Sequence, residues 1–185
     1  MKTTTEITRI SKFLSLVLRH QPSTIGLALD ANGWAIIGEL LAKSNAAGIA
    51  IDLELLQHIV ATNSKKRFAF DESMTKIRAS QGHSIAIDLE LRPTAPPEIL
   101  YHGTAAANVQ SIMTNGISKQ SRTHVHLSTD QEIARTVGAR HGKPFVFEVR
   151  AGEMSAAGYQ FFLSENMVWL TEYVPTEFLP ISADL

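Results

Sequence analysis

Five short motifs in this chain carry the residue types that grip anions and move protons. In order they are Leu18-Arg19-His20, Lys65-Lys66-Arg67-Phe68, Arg78-Ala79-Ser80-Gln81-Gly82-His83-Ser84, Tyr101-His102-Gly103-Thr104 and Ser121-Arg122-Thr123-His124-Val125-His126-Leu127-Ser128. A guanidinium takes phosphate oxygens two at a time, and histidine exchanges its proton near neutral pH. The formal net charge is only −1 over 185 residues, so these cations do not belong to a generally basic surface. They suit a placed anionic ligand better than non-specific hold on long nucleic acid.

Each motif has a plain reading beside the chemical one. His102-Gly103-Thr104 reads as the end of a strand opening into a helix, where glycine lets backbone approach a ligand and free N–H groups favour an anion. The plain reading is a turn with a satisfied histidine. His124 and His126 alternate as on a strand, which puts them on one face. With His102 they could ligate a metal, but there is no HExxH motif, no paired carboxylate lies near, and Arg122 would repel a cation. A polar wall against a nucleotide ribose, with Ser128 beside it, is the alternative. Arg19, Arg67 and Arg122 are ordinary solvated arginines if apart and a phosphate trap if together. The chain has no GxSxG, P-loop or GxGxxG sequence, which sets aside serine hydrolases, P-loop NTPases and Rossmann dehydrogenases.

The elements that must position these residues fall into two halves. Ile7, Ile10, Phe13, Leu14, Val17 and Leu18 recur at helical spacing, and Pro22 stops that helix just past Arg19 and His20. A second helix is expected over 38–46 and a third from the N-cap Asp52. Arg67–Phe70 and Lys76–Arg78 read as a hairpin turned by Asp71-Glu72-Ser73. Three helices followed by a hairpin is the plan of a winged helix. Ile85, Ile87, Leu89 and Leu91 alternate as a further strand. The stiff segment Arg92-Pro93-Thr94-Ala95-Pro96-Pro97 then marks a boundary that interrupts any sheet ladder. Beyond it come a strand at Ile99-Leu100-Tyr101, a helix over 105–115 closed by Gly116, a strand at Val125-His126-Leu127 and a helix from Asp130 to Arg140. Strands at 145–149, 161–163 and 167–170 complete an α+β half built around a cleft.

Composition sets the outer bounds. Residues 1–92 hold 11 Lys+Arg against 9 Asp+Glu, and residues 93–185 hold 6 against 9. Hydrophobic residues make up 44% of the chain, enough for a core, and cysteine is absent. Disulfides, thiolate catalysis and cysteine zinc sites are therefore excluded, and a cytoplasmic location is the simplest expectation. No apolar run suits a signal peptide or a membrane span.

The five motifs in this order resemble the RNA (tRNA) 2′-phosphotransferase family, Tpt1 in fungi and KptA in bacteria. The resemblance extends to Gly142-Lys143-Pro144 and to Val168-Trp169-Leu170-Thr171, and covers nearly the whole chain. It implies a winged-helix lobe over 1–92, a linker over 93–97, an ADP-ribosyltransferase-like lobe over 98–185, and an active site in the cleft between the lobes. It also implies NAD as co-substrate and RNA with an internal 2′-phosphate as partner. Beside these, no metal is expected because the arginines take the place of a magnesium ion, and no membrane and a monomer are expected. By the resemblance Arg19, His20, Arg67 and Arg122 are the catalytic residues. His102, Gly103, Thr104, His126 and Ser128 match the NAD-binding wall, with Arg78 and His83 beside the substrate.

The implied reaction has two steps. The RNA 2′-phosphate attacks C1″ of the nicotinamide ribose and nicotinamide departs. The ribose 2″-OH then attacks the bridging phosphorus, which frees the RNA 2′-OH and gives ADP-ribose 1″,2″-cyclic phosphate. The first nucleophile is already an anion, so it needs holding rather than a general base. The second step needs a proton carrier, which suits His20. In one respect the chain departs from the wider ADP-ribosyltransferase pattern of His, Tyr and Glu. His102, His126 and the apolar Val168 stand at the matching positions. A glutamate that activates neutral acceptors is dispensable for a phosphate acceptor. Two other readings compete: an ADP-ribosyltransferase acting on terminal phosphates of RNA or DNA, and a non-catalytic winged-helix nucleic-acid-binding protein.

Overall fold

The computed structural model describes residues 2–180, and the chain divides into two compact units, Met1–Glu90 and Leu91–Leu185. Both mix helices with small antiparallel sheets, as an α+β chain should.

The first unit opens with α1, Thr4–Arg19. Its start is a capping box: the Glu6 N–H donates to Thr3 Oγ1 at 3.3 Å, and the Thr3 N–H donates to Glu6 Oε2 at 2.8 Å. Ile10, Leu14, Val17 and Leu18 form its buried stripe. The chain leaves at His20 and enters a short 3₁₀ turn at Pro22–Ile25, so Arg19 and His20 lie where the helix ends. A two-residue strand, β1 (Ala35–Ile36), precedes α2 (Ile37–Ala46), and Asp52 caps α3 (Leu53–Thr62) by accepting the Leu55 N–H at 2.8 Å. The hairpin is β2 (Phe68–Phe70) with β3 (Lys76–Ala79), in register Phe68↔Ala79, and β1 joins the other edge of β3. The Asp71 carboxylate holds the turn by accepting the Thr75 and Lys76 N–H groups at 2.8 and 2.7 Å. The Ser73 hydroxyl, which donates to the same carboxylate, and then these backbone bonds lower that carboxyl to about 2. Leu14, Leu18, Leu40 and Leu56 are fully buried in the shared core, and truncating one to alanine costs about 2–5 kcal/mol.

The strand expected at 85–91 does not form. The alternation is real in burial, with Ile85, Ile87, Leu89 and Leu91 turned inward and the residues between them exposed. Among the described residues no strand pairs with it to complete a ladder. Its backbone instead meets a loop, where the Asp88 N–H donates to the Ala31 carbonyl at 2.9 Å and Asn32 Nδ2 donates to the Asp88 carbonyl at 2.9 Å.

In the second unit β4 runs from Ile99 to Ala105, longer than expected. A 3₁₀ turn at Ala106–Asn108 and the seven-residue α4 (Val109–Asn115) follow, closed by Gly116, and then β5 (Ile117–Ser118). Next come β6 (Val125–Leu127), α5 (Gln131–Gly138) capped by Asp130, a 3₁₀ turn at Ala139–His141, and β7 (Pro144–Arg150). The chain continues through α6 (Ala151–Ala156), β8 (Phe161–Leu163), β9 (Trp169–Thr171) and β10 (Tyr173–Val174). β4 pairs with β7 over seven residues, from Ile99↔Arg150 to Ala105↔Pro144. β6, β9 and β8 form a second sheet, and β5 pairs with β10. A bridge between Tyr101 and Ser128 links β4 to the end of β6. The proline-rich segment belongs to this unit: Pro93 bridges to Phe162, and the Thr94 N–H donates to the Phe161 carbonyl at 2.8 Å. A proline is tolerated at such an edge because no ladder N–H is asked of it.

Candidate functional site

In the first unit the ends of α1 and α3 and the two hairpin strands bring one cluster together. Arg19 closes α1, and its Nη2 donates to the Arg67 carbonyl at 3.2 Å. The Ser80 N–H donates to the same carbonyl at 2.9 Å, and the Ser80 hydroxyl donates to the Lys66 carbonyl at 2.8 Å. Asn63, just past α3, accepts the Lys65 and Arg67 N–H groups on Oδ1 at 3.2 and 3.4 Å. That turn puts Lys66 at φ 41° and delivers Arg67 to the start of β2. The Ser84 N–H donates to the Arg19 carbonyl at 3.0 Å, and the Ser84 hydroxyl lies 2.9 Å from His20 Nδ1. The Gln81–Ser84 segment is thus folded against the last turn of α1.

Arg78 and His83 lie near these residues. The Arg78 guanidinium sits 4.4 Å from the centre of the Trp34 ring, a cation–π contact. His83 is fully buried. Its burial, and then the charges of Arg19, His20 and Arg78, push it down to about 4. It is neutral at pH 7 and adds no charge to the cluster. The five first-unit residues singled out from sequence, Arg19, His20, Arg67, Arg78 and His83, therefore share one neighbourhood.

In the second unit the organising contact is between β4 and β6. His102 Nδ1 lies 3.1 Å from the His126 carbonyl. A carbonyl only accepts, so Nδ1 carries the proton and Nε2 keeps its lone pair. Burial, and then Arg122, hold the His102 pKa below its ordinary value, while the bond to His126 pulls the other way. Arg122 Nη1 lies 3.4 Å from His126 Nδ1, which must accept. Partial desolvation, then the charge of Arg140, lower Arg122, which stays cationic at neutral pH. Ser128 is held by backbone bonds to Tyr101 of 2.8 and 2.9 Å, and its hydroxyl accepts the Asp130 N–H at 3.0 Å. His102, Arg122, His126 and Ser128 are thereby grouped.

Three second-unit expectations change. His102-Gly103-Thr104 does not open a helix; it lies inside β4, because the strand keeps pairing with β7 as far as Ala105. What approaches Gly103 is α5: a Cβ there would sit 1.6 Å from the Ala134 carbonyl oxygen. Thr104 is buried, and its Oγ1 accepts from Asn108 Nδ2 at 3.1 Å, so it braces the following turn. His124 precedes β6, outside the strand pattern that predicted a shared face with His126. It packs edge-on to Phe162, with ring centres 5.7 Å apart. Burial, then Lys119, push its pKa down. Among the described residues no three His, Asp or Glu side chains gather as a metal site. No described helix is long and apolar enough to cross a membrane.

Sequence reasoning missed Trp34 and Asn63, which help hold the first cluster in place, and quoted Ser84 within a motif without a role for it. Only Asn63, an Asn-Ser pair directly after a helical run, carried a local turn signal.

A family model described as RNA 2′-phosphotransferase, Tpt1 / KptA family, matches residues 5–173. Curated proteins named "Probable RNA 2′-phosphotransferase" are similar along nearly all of both chains. The one from Flavobacterium johnsoniae is 55% identical over 170 residues, 92% of this chain and 93% of its own. That from Fusobacterium nucleatum is 52% identical, covering 92% and 96%, and that from Hahella chejuensis is 53% identical, covering 92% of each.

Proposed function

Because this chain belongs to the RNA 2′-phosphotransferase, Tpt1/KptA, family, we propose that it is an NAD-dependent transferase that removes an internal 2′-monophosphate from RNA. The observation that carries the reading is the family match over residues 5–173, supported by the Arg19–Arg67 contact of 3.2 Å. That contact brings the Arg19 side chain to the backbone of Arg67, which supports a phosphate site shared by the two arginines.

In this reading the first unit is a winged-helix lobe, bounded near residue 92, and the second an ADP-ribosyltransferase-like lobe. Arg19, Arg67 and Arg122 bind the phosphate that is transferred. They hold a nucleophile that is already charged and offset the charge that builds on phosphorus in the second step. His20, steadied by Ser84, handles the proton when the ribose 2″-OH attacks and the RNA 2′-oxygen leaves. Arg78, stacked on Trp34, and buried His83 support Arg19 and His20.

NAD supplies the electrophilic ribose carbon and leaves nicotinamide behind. The donor set of the second unit fits a ribose: His102 Nε2 is an acceptor for a hydroxyl, and the Ser128 hydroxyl can serve as donor. His126, oriented by Arg122, completes that wall, while Gly103 and Thr104 fix the strand on which His102 stands.

The test is a short RNA bearing one labelled internal 2′-phosphate, incubated with and without NAD in the presence of EDTA. Label leaving the RNA only with NAD, as ADP-ribose 1″,2″-cyclic phosphate, is the expected result. Label kept on RNA that has gained ADP-ribose would mean that the second step is missing. RNA unchanged under every condition would overturn the proposal.

A further inference from the structure

Two grooves mark the surface of the first unit, and their linings differ in charge. One is lined by Lys2, Glu6, Asp52, Glu54 and His58 with two apolar residues, and so carries three carboxylates. The other, about 350 Å³, runs between α1 and the end of α3 and reaches Arg67. Among the described residues that line it none is acidic; Lys12 and Arg67 are its cations, and hydroxyl and amide side chains make up most of the rest. Along α1, Thr8 to Ser15 covers about 10 Å at the helical rise of 1.5 Å per residue.

Three of the five hydroxyls along this groove have their protons committed within their own helices. Thr8 and Ser15 donate to the Thr4 and Ser11 carbonyls, each at 2.9 Å, and Thr62 donates to the His58 carbonyl at 2.7 Å. A hydroxyl has one proton and two lone pairs, so these three are left as acceptors. Acceptors do not welcome phosphate oxygens. They suit donors, and a ribose strand carries one donor per nucleotide, its 2′-OH. Cations for phosphates alternating with acceptors for 2′-hydroxyls is the chemistry of an RNA backbone.

We propose that the groove between α1 and α3 seats the RNA strand flanking the 2′-phosphate, with Lys12 on a backbone phosphate and the Thr8, Ser15 and Thr62 hydroxyls accepting from ribose. This rests on the assignment of Arg67 to the transferred phosphate, since the groove ends at that residue. Lys12 is exposed, so its replacement should leave the fold intact.

The experiment compares a 2′-phosphorylated trinucleotide with a strand of about a dozen residues, measuring KM for each with NAD and binding of the longer strand by anisotropy. For Lys12→Glu the ratio of the long-strand KM to the trinucleotide KM should rise about tenfold at low salt, and the salt slope of binding should fall by about one. Lys2→Glu, the same charge change in the acidic groove, should leave the ratio where it was. Replacing the flanking nucleotides by deoxynucleotides should weaken wild-type binding. An unchanged ratio and slope for Lys12→Glu, or equal binding of the deoxy strand, would overturn the proposal. If the wild type fails to use NAD, the transferase reading falls, and the anisotropy arm still decides the groove.

Discussion

The Nδ1 atom of His102 lies 3.1 Å from the backbone carbonyl of His126, and that contact decides which nitrogen faces outward. With Nδ1–H spent on the carbonyl, Nε2 is an acceptor in a ring kept neutral chiefly by burial. A neutral acceptor can take a ribose hydroxyl, and a charged imidazolium could not. The ¹⁵N resonances of His102 should therefore report the Nδ1–H tautomer at neutral pH. His102→Ala should raise KM for NAD about tenfold and lower kcat less, because the lost bond is made in the ground state as well as the transition state.

Arg19 and Arg67 are coupled through the backbone, where Arg19 Nη2 donates to the Arg67 carbonyl, and in the proposed function they also share the transferred phosphate. Arg67→Lys keeps the carbonyl that Arg19 and the Ser80 N–H hold, so the fold should be undisturbed and the melting temperature unchanged. It loses the bidentate fork, and turnover should fall about 10²- to 10³-fold. Arg19→Ala removes the anchor of Arg67 and, in the proposed function, a phosphate ligand as well. With Arg67→Ala as the second single variant, the two losses should not add: the double alanine variant should differ from additivity by about 0.5–3 kcal/mol. Single-turnover rates on the labelled RNA supply all four corners of that cycle.

How far the sequence could be read depended on whether a feature was local. The stripe Ile10, Leu14, Val17, Leu18 and the stop at Pro22 foretold α1 and put Arg19 and His20 at its end. The hairpin followed from alternation around Asp71. The segment from Ile85 to Leu91 shows the limit. Its alternation correctly foretold which side chains turn inward, yet a strand also needs a neighbour, and the neighbour here is a loop near Ala31. Short strands such as β1, with only two residues, leave no periodic trace. At the site, residue identity came from motif order. The contact of Arg19 with a carbonyl 48 positions away, and the seat of Arg78 on Trp34, are tertiary facts that no local pattern encodes.

His83 gives the first unit an acid-sensitive element. In the folded protein its pKa is about 4, through burial and then the charges of Arg19, His20 and Arg78. In the unfolded chain a histidine titrates near 6.5. Between those values the unfolded state binds more protons, so stability is full above about pH 6.5 and falls as pH drops toward 4. The loss is about 3 kcal/mol at most. Urea midpoints for the wild type should decline across this window, and His83→Gln should flatten the decline. His102 and His124 shift in the same direction, so the variant keeps part of the slope. Parallel curves for wild type and variant would assign the effect elsewhere.

The second unit depends on two glycines that let a helix lie against a strand backbone to backbone. A Cβ on Gly103 would stand 1.6 Å from the Ala134 carbonyl oxygen, and one on Gly138 would stand 2.5 Å from the Thr104 carbonyl oxygen. Neither obstacle is a side chain that could swing aside, so a methyl group at either position must push α5 off β4. Overpacking of this kind costs about 1–3 kcal/mol or more, and here both partners are regular elements that cannot yield locally. Gly103→Ala should lower the urea midpoint by at least that much. It should also weaken NAD use, since the strand it displaces carries His102. Gly38→Ala is the matched control. Its Cβ would meet nothing within 4 Å, it lies within α2, and alanine there should be neutral or stabilise by up to about 1 kcal/mol. If Gly103→Ala unfolds at the wild-type midpoint, α5 is not seated on β4 in solution, and the orientation assigned to His102 falls with it.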